Sequence, residues 1–259
     1  MFMFKNASAF NQNIRGWNVD AVVTKPPTDF STGSGLTEQT SPVWFPIVLV
    51  GTTIKYVGSV PTSDTLFIQA NPRGTGVEWF AVVKQGMKAA ISDYASGTDG
   101  PFKPNPQLPA VTFNNIVTTL MTDMSSLFQY KTSFNAPIAS WDTWAVTTMS
   151  YMFHLATAFN QPIGAWNTGA VMHMNNMFVN ATAFNQSIGA WNTGAVKSMS
   201  AMFYYANGFN QPIGAWNTGA VGNMAAMFYQ AAAFNQNITG WNVAAVITKP
   251  PTDFSTSSA

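Results

Sequence analysis

Cysteine is missing from all 259 residues, which excludes disulfides and thiolate metal sites. Charge is almost as scarce: Asp, Glu, Lys and Arg make up 8% of the chain and the net charge is +1, where a typical soluble domain is roughly one quarter charged. No basic block occurs, so the clustered Lys and Arg that phosphate binding requires are absent, and nucleic acid is not expected as a partner. Long hydrophobic runs are absent too. The longest apolar stretch, VWFPIVLVGTTIKYVGSV, is broken by Pro46, Gly51, Lys55 and Gly58. It is too short and too polar to cross a bilayer, so no membrane insertion is expected. The opening MFMFKNASAF has no basic segment followed by an apolar core and is not read as a secretory signal.

Catalytic chemistry has little to work with. The two histidines, His154 and His173, stand at non-equivalent places in neighbouring repeats and belong to no motif. Asp93 and Asp99 flank a loop without the Asp-x-Asp-x-Asp-Gly spacing of a calcium site. RGTG at Arg73 is followed by neither the lysine nor the helix of a phosphate loop. No Gly-x-Ser-x-Gly elbow is present. The reading is of a protein with no enzymatic activity, no metal and no cofactor.

What the chain does have is repetition. Hydrophobic residues reach 47%, enough for a folded core, and the polar remainder is Asn, Thr, Ser, Gln and Gly. Such a neutral surface suits sugars or further copies of the same protein. Phe134, Phe159, Phe184, Phe209 and Phe234 each open a Phe-Asn segment, 25 residues apart. That period belongs to solenoids. In FNQPIGAWNTGAVGNMAAMFYQAAA the apolar places Val221, Met224, Met227, Phe228 and Ala231 predict one face of a short helix. Asn, Thr and Gly before it predict a turn and helix start, and FNQPI predicts a short strand limited by its proline. The expected fold is therefore an α/β solenoid, a short strand plus a short helix per coil, with stacked coils sharing one core. With strands about 4.8 Å apart, six coils would stack to a length on the order of 25–30 Å. Phe134 to Phe234 in register, Trp141, Trp166, Trp191, Trp216 and Trp241, and Met177, Met202 and Met227 are the expected core. Asn135, Asn160, Asn185, Asn210 and Asn235 are expected to form a side-chain ladder serving buried backbone groups.

A second, longer repeat joins the ends. The 30 residues from Met3, MFKNASAFNQNIRGWNVDAVVTKPPTDFST, match those from Met227, MFYQAAAFNQNITGWNVAAVITKPPTDFST, at 24 positions. Residues 1–30 are thus read as a terminal coil equivalent to 227–254, the tail of a preceding module. Residues 31–46 read as a connector, 113–247 as the solenoid, opened by a degenerate coil at Phe113, and 248–259 as the start of the next connector. Between them, PIVLVGTTIKYVG, TLFIQAN and VEWFAVV predict three strands, and KQGMKAAISDYAS a helix with Met87, Ala90, Ile91 and Tyr94 on one face. This gives a small β-rich, one-helix domain at 47–97 that could close the solenoid's first face, followed by a Pro/Gly linker at 98–112.

The recurring Phe-Asn-Gln-x-Ile, Trp-Asn-Thr, Val and Met-x-x-Met-Phe resemble the repeat of BspA-like surface proteins, a leucine-rich-repeat-like family. The resemblance covers Phe113–Val246 and Met1–Val22. It implies an extracellular, cell-surface or virion-surface protein with adhesive or structural work. The acidic residue that commonly follows the tryptophan there survives only as Asp142, with Asn167, Asn192, Asn217 and Asn242 elsewhere. The expected function is structural: modules associating head-to-tail with other copies of the protein into a fibre. The alternative is an adhesin for glycans or host surface proteins. For that reading the register tryptophans are core, and the better surface candidates are Trp144, Tyr204, Tyr205 and Tyr229. Asn6, Asn180 and Asn237 stand in glycosylation sequons, as does Asn185, which the ladder is expected to occupy.

Overall fold

The computed structural model describes residues 6–10, 47–58, 60–97, 102–104 and 106–247. The terminal coil read at 1–30, except 6–10, the connector at 31–46, the segment 248–259 and Asp99 lie outside them.

PIVLVGTTIKYVG, expected as one strand, is a hairpin. Strands β1 (Ile47–Val50) and β2 (Thr53–Tyr56) pair antiparallel, with Leu49 opposite Ile54. Gly51 turns the chain at φ +61°, a conformation that costs glycine little. Strands β3 (Thr65–Ala70) and β4 (Glu78–Lys84) pair antiparallel, and β5 (Ile116–Leu120) adds to β4 in parallel. A parallel neighbour needs a crossover; the 3-10 turn Gln85–Met87 and helix α1 (Lys88–Tyr94) provide it. Ile91 is buried, and Met87, Ala90 and Tyr94 pack on the same core. The segment read as a degenerate first coil therefore begins as a sheet strand.

The stretch read as a linker carries a core residue. Phe102 is fully buried, its ring 5.1 Å from that of Tyr94, and its carbonyl accepts from Val111 N at 2.9 Å. One continuous set of buried side chains runs from Ala81 and Ile91 through Phe102 and Phe113 to Val246. A smaller set, including Ile54, Phe80, Val82 and Val117, lies between the two sheets.

Beyond β5 the 25-residue copies stack as coils. Phe134, Phe159, Phe184, Phe209 and Phe234 are buried, as are Trp141, Trp166, Trp191, Trp216 and Trp241, with Met177, Met202 and Met227. Equivalent rings lie face to face: Phe159 to Phe184 at 5.9 Å and Phe184 to Phe209 at 6.0 Å. Offset stacking at this spacing suits aromatic quadrupoles.

The helix expected in each coil is not formed in the described coils. Among the described residues, the Val-to-Ala segment of every coil is a run of turns. Alternate amides do different things. Met149, Tyr151, Phe153 and Leu155 donate to the carbonyls of His173, Asn175, Met177 and Val179 in the next coil. Met152, His154 and Ala156 donate three residues back, to Met149, Tyr151 and Phe153. The same division recurs one coil later, where Met174, Asn176, Phe178 and Asn180 reach forward. A helix would turn all these amides inward along its own axis; here half of them join neighbouring coils. The geometry requires left-handed residues, and two per coil have them: Ser126, Tyr151, Asn176, Ala201 and Ala226, and four places on, Tyr130, Leu155, Asn180, Tyr205 and Gln230, all with φ between 51° and 63°. Positive φ at the third place is what a type II turn needs. Among the described residues the strand expected at FNQPI does not form either. Beyond β5, among the described residues, parallel pairing takes the form of single bridges, Asp123–Thr148–His173–Ser198–Asn223, inside the segment read as helix.

The crossover caps the first coil. In later coils the carbonyls of Thr148, His173, Ser198 and Asn223 accept an amide from the coil before. Asp123 holds the equivalent place, and its carbonyl accepts from Gln85 Nε2 at 2.8 Å. Gln85 Oε1 in turn accepts from Thr122 N and Asp123 N at 3.0 and 2.9 Å. Gln85→Ala is expected to cost about 2 kcal/mol by removing these bonds, with hydrogen exchange accelerating first at Thr122 and Asp123.

Lys88 Nζ adds a 3.0 Å contact to Asp123 Oδ1. Burial pushes the Asp123 carboxyl up, but hydrogen bonds from Ser125 and the Lys88 ammonium together hold it below its ordinary value. A carboxyl lowered in the folded state stabilises above its unfolded pKa and loses that contribution as pH falls through the folded one. Apparent Tm is therefore expected to fall as pH drops below about 4, and less steeply in Lys88→Met.

Candidate functional site

Three ladders of side chains run along the stack. Each tryptophan reaches back: Nε1 of Trp166, Trp191, Trp216 and Trp241 donates to the carbonyls of Ile138, Ile163, Ile188 and Ile213, at 3.2, 3.0, 3.1 and 3.1 Å. Trp141 does the same to Phe113, so even the first coil follows the rule. These rings are buried and hydrogen-bonded, which excludes them as sugar platforms.

Each threonine after Trp-Asn reaches forward. The hydroxyls of Thr143, Thr168, Thr193 and Thr218 donate to the carbonyls of Asn167, Asn192, Asn217 and Asn242 at 2.8 to 3.0 Å. Sequence reading missed this role, although threonine recurs in register in Trp-Asn-Thr. The terminal coil breaks it, with Val243 in the threonine's place.

The Phe-Asn asparagines form the third ladder. Oδ1 of Asn135, Asn160, Asn185 and Asn210 accepts the amide of the next asparagine, Asn160, Asn185, Asn210 and Asn235, at 2.9 to 3.0 Å. The same oxygens accept from Gln161, Gln186, Gln211 and Gln236. The ladder differs from expectation in one respect: Asn135, Asn185 and Asn235 are exposed. It serves backbone amides at the surface, competing with water rather than relieving buried groups.

Where the stack meets β2, one carboxylate is sealed in. The Asp142 side chain is 1% exposed, and Lys55 Nζ lies 3.7 Å from its Oδ1. Its Oδ2 has no hydrogen-bond partner. Asp142→Asn is expected to change stability by less than about 1 kcal/mol, since it matches the asparagines of the other coils and removes a sealed charge. Lys55→Met is expected to cost about 1 kcal/mol, a value discounted for the lysine's partial exposure. Lys55→Met in the Asp142→Asn background should then be nearly neutral. Equal costs in both backgrounds, read from denaturant titrations, would remove the ion pair from the account.

The remaining candidates scatter. Trp144 is 52% exposed beside Asp142, whose Oδ1 accepts from Trp144 N at 3.4 Å. Tyr204 and Tyr229 are half-buried, their rings stacked at 4.9 Å, with Tyr205 edge-on to both. Their faces cover one another, so this cluster offers edges and hydroxyls rather than a flat platform. Asn6 and Asn237 are exposed; Asn180 is half-buried and its amide donates to the Tyr204 carbonyl. Asn185 sits in the ladder.

His154 lies against Tyr130 and Tyr151, and Gln129 Nε2 is 2.9 Å from its Nδ1. Burial holds its pKa below the ordinary value. His173 is exposed on the bridge ladder, and neither histidine is on a helix. Asp93 is exposed at the end of α1. Arg73 donates to Glu78 and Asn115 and to the Asn114 carbonyl. It joins the β3–β4 turn to the chain entering β5. Among the described residues no three His, Asp or Glu side chains gather where a metal ion could be held, and no helix is long and apolar enough to cross a membrane.

Stacked copies tied by side-chain and backbone ladders define a repeat protein. The family described as "Mycoplasma protein of unknown function, DUF285" matches residues 1–39, 102–193 and 163–258. The chain belongs to that family. The matches leave residues 40–101 outside, the part that holds β1 to β4 and α1, while β5 falls inside the second match. No curated protein and no solved structure matches the chain.

Proposed function

We propose that this chain is a BspA-like, leucine-rich-repeat-like solenoid module with a structural, non-enzymatic role at a cell or virion surface, joined head-to-tail with its own copies into a fibre. The observation that carries this reading is the match of Met3–Thr32 to Met227–Thr256, 24 of 30 residues at an offset of 224. A chain that writes its terminal coil and the following connector twice is built to be read in tandem. The low charge supports association, since copies with a net charge of +1 do not repel one another. A heterologous contact of this kind propagates into a filament when its rotation does not close.

Light scattering across a concentration series, with negative-stain electron microscopy, tests the proposal. Growth of long regular fibres is expected. Monodisperse single chains at the highest concentrations reached would overturn it. The adhesin reading draws on exposed Trp144 and, in later coils, the cluster of Tyr204, Tyr205 and Tyr229, and a glycan array without binding would dispose of it.

A further inference from the structure

We propose that the outer face of the β1–β2 hairpin, together with Trp144, is a docking surface for the terminal coil of a second copy of this chain. The proposal rests on the head-to-tail reading above and names its contact.

The hairpin has two unlike faces. Ile47, Ile54 and Tyr56 are buried against β5 and its neighbours. Period-two alternation puts Val50 and Val57 on the other face with Lys55. Val50 and Val57 are 56% and 55% exposed. Lys55 leans to Asp142, and the Asp142 carboxylate also accepts from Trp144 N, which sets the backbone of the exposed tryptophan beside the Lys55 side of the hairpin. Gly169, Gly194 and Gly219 occupy the place of Trp144 in later coils. A half-exposed tryptophan where the repeat has glycine, on the same side as a hairpin face that exposes a valine at each end, has the composition of an interface anchor.

The last described coil, Trp241–Ile247, turns apolar by a specific departure from the repeat. Thr143, Thr168, Thr193 and Thr218 each hand a hydrogen bond to the next coil, whereas Val243 has no hydroxyl to give. Val243 and Ile247 are 46% and 90% exposed, and Trp241–Ile247 carries no charge. A coil ending in alkyl groups fits an apolar partner rather than another polar coil edge. The same change stands in Trp17-Asn18-Val19, and that coil is the one that precedes the hairpin in the chain. The order of terminal coil, connector and hairpin is thus written in the sequence, and a second copy supplies the same coil between chains. Both surfaces are uncharged apart from Lys55, which Asp142 pairs.

The test uses full chains with one end blocked. Val57→Asp/Trp144→Ser blocks the hairpin end, and Val243→Asp/Ile247→Asp blocks the terminal coil. All four positions are exposed, and near-UV circular dichroism checks that each variant folds. Sedimentation is expected to show assembly of the wild type, single chains for either variant alone, and a 1:1 dimer that grows no further when the two are mixed. If the wild type assembles and the blocked variants assemble equally, or their mixture stays monomeric, this surface is wrong while the fibre reading stands. A wild type that never assembles overturns both.

Discussion

Trp191→Ala is expected to lower stability by about 4 kcal/mol, a fall of about 12 °C in Tm for a chain of this size. Trp191 is buried at the centre of the stack, its ring 6.3 Å from Trp216 and 6.4 Å from Phe178. Removing the indole opens a cavity that coils fixed on both sides cannot close, since their spacing is set by the ladders. It also leaves the Ile163 carbonyl without the indole donor, 3.0 Å away in the intact protein. Trp191→Phe keeps most of the ring and loses the bond, so about 1–2 kcal/mol is expected. Trp241→Ala should cost less than Trp191→Ala, because Trp241 is the most exposed of the five and lies in the last described coil. Stability measured by denaturant for the three variants decides the matter. Equal costs for Trp191→Ala and Trp241→Ala would mean that neighbouring coils do not support one another.

The tryptophans and phenylalanines were legible because register alone identifies them. A residue type that returns every 25 positions faces the same way in every coil, and the large apolar ones must face inward. The asparagine ladder was legible for the same reason, though period says nothing about whether a ladder lies at the surface. Gln85 was not legible: its cap depends on a side chain 38 residues from Asp123, and no pattern in the chain announces it. Phe102 was hidden in a Pro/Gly-rich stretch, where local composition argues for a linker and one aromatic outweighs it. Asp142 stood out only as the departure from asparagine, and its isolation with Lys55 needed the hairpin in place. Val243 could be read from sequence once threonine's forward bond is known, and not before.

The helix is the instructive failure, and it yields the sharpest remaining expectation. Val221, Met224, Met227, Phe228 and Ala231 recur at intervals of three and four, and all five are buried. A chain of overlapping turns places every third or fourth residue on one side much as a helix does, so hydrophobic period cannot separate the two. The backbone can. Ala201 and Ala226 have φ of 51° and 53°, where an L-residue is disfavoured by about 1–2 kcal/mol. Glycine loses that penalty and gives back part of it in unfolded-chain entropy, for a net gain of about 0.5–1 kcal/mol per site. Ala201→Gly and Ala226→Gly are therefore each expected to stabilise. In a helix the same change costs about 1 kcal/mol, so the sign alone discriminates. Ala201→Val supplies the converse: its branched Cβ is poorly tolerated in the left-handed region, and a loss greater than about 1 kcal/mol is expected. Because Ala201 N donates to the Ala225 carbonyl, the two alanines sit in coupled turns, and the double variant measures whether relief in one coil passes to the next. Destabilisation by both glycines would return the segment to a helix and remove the alternating coil-to-coil bonds on which the stack depends.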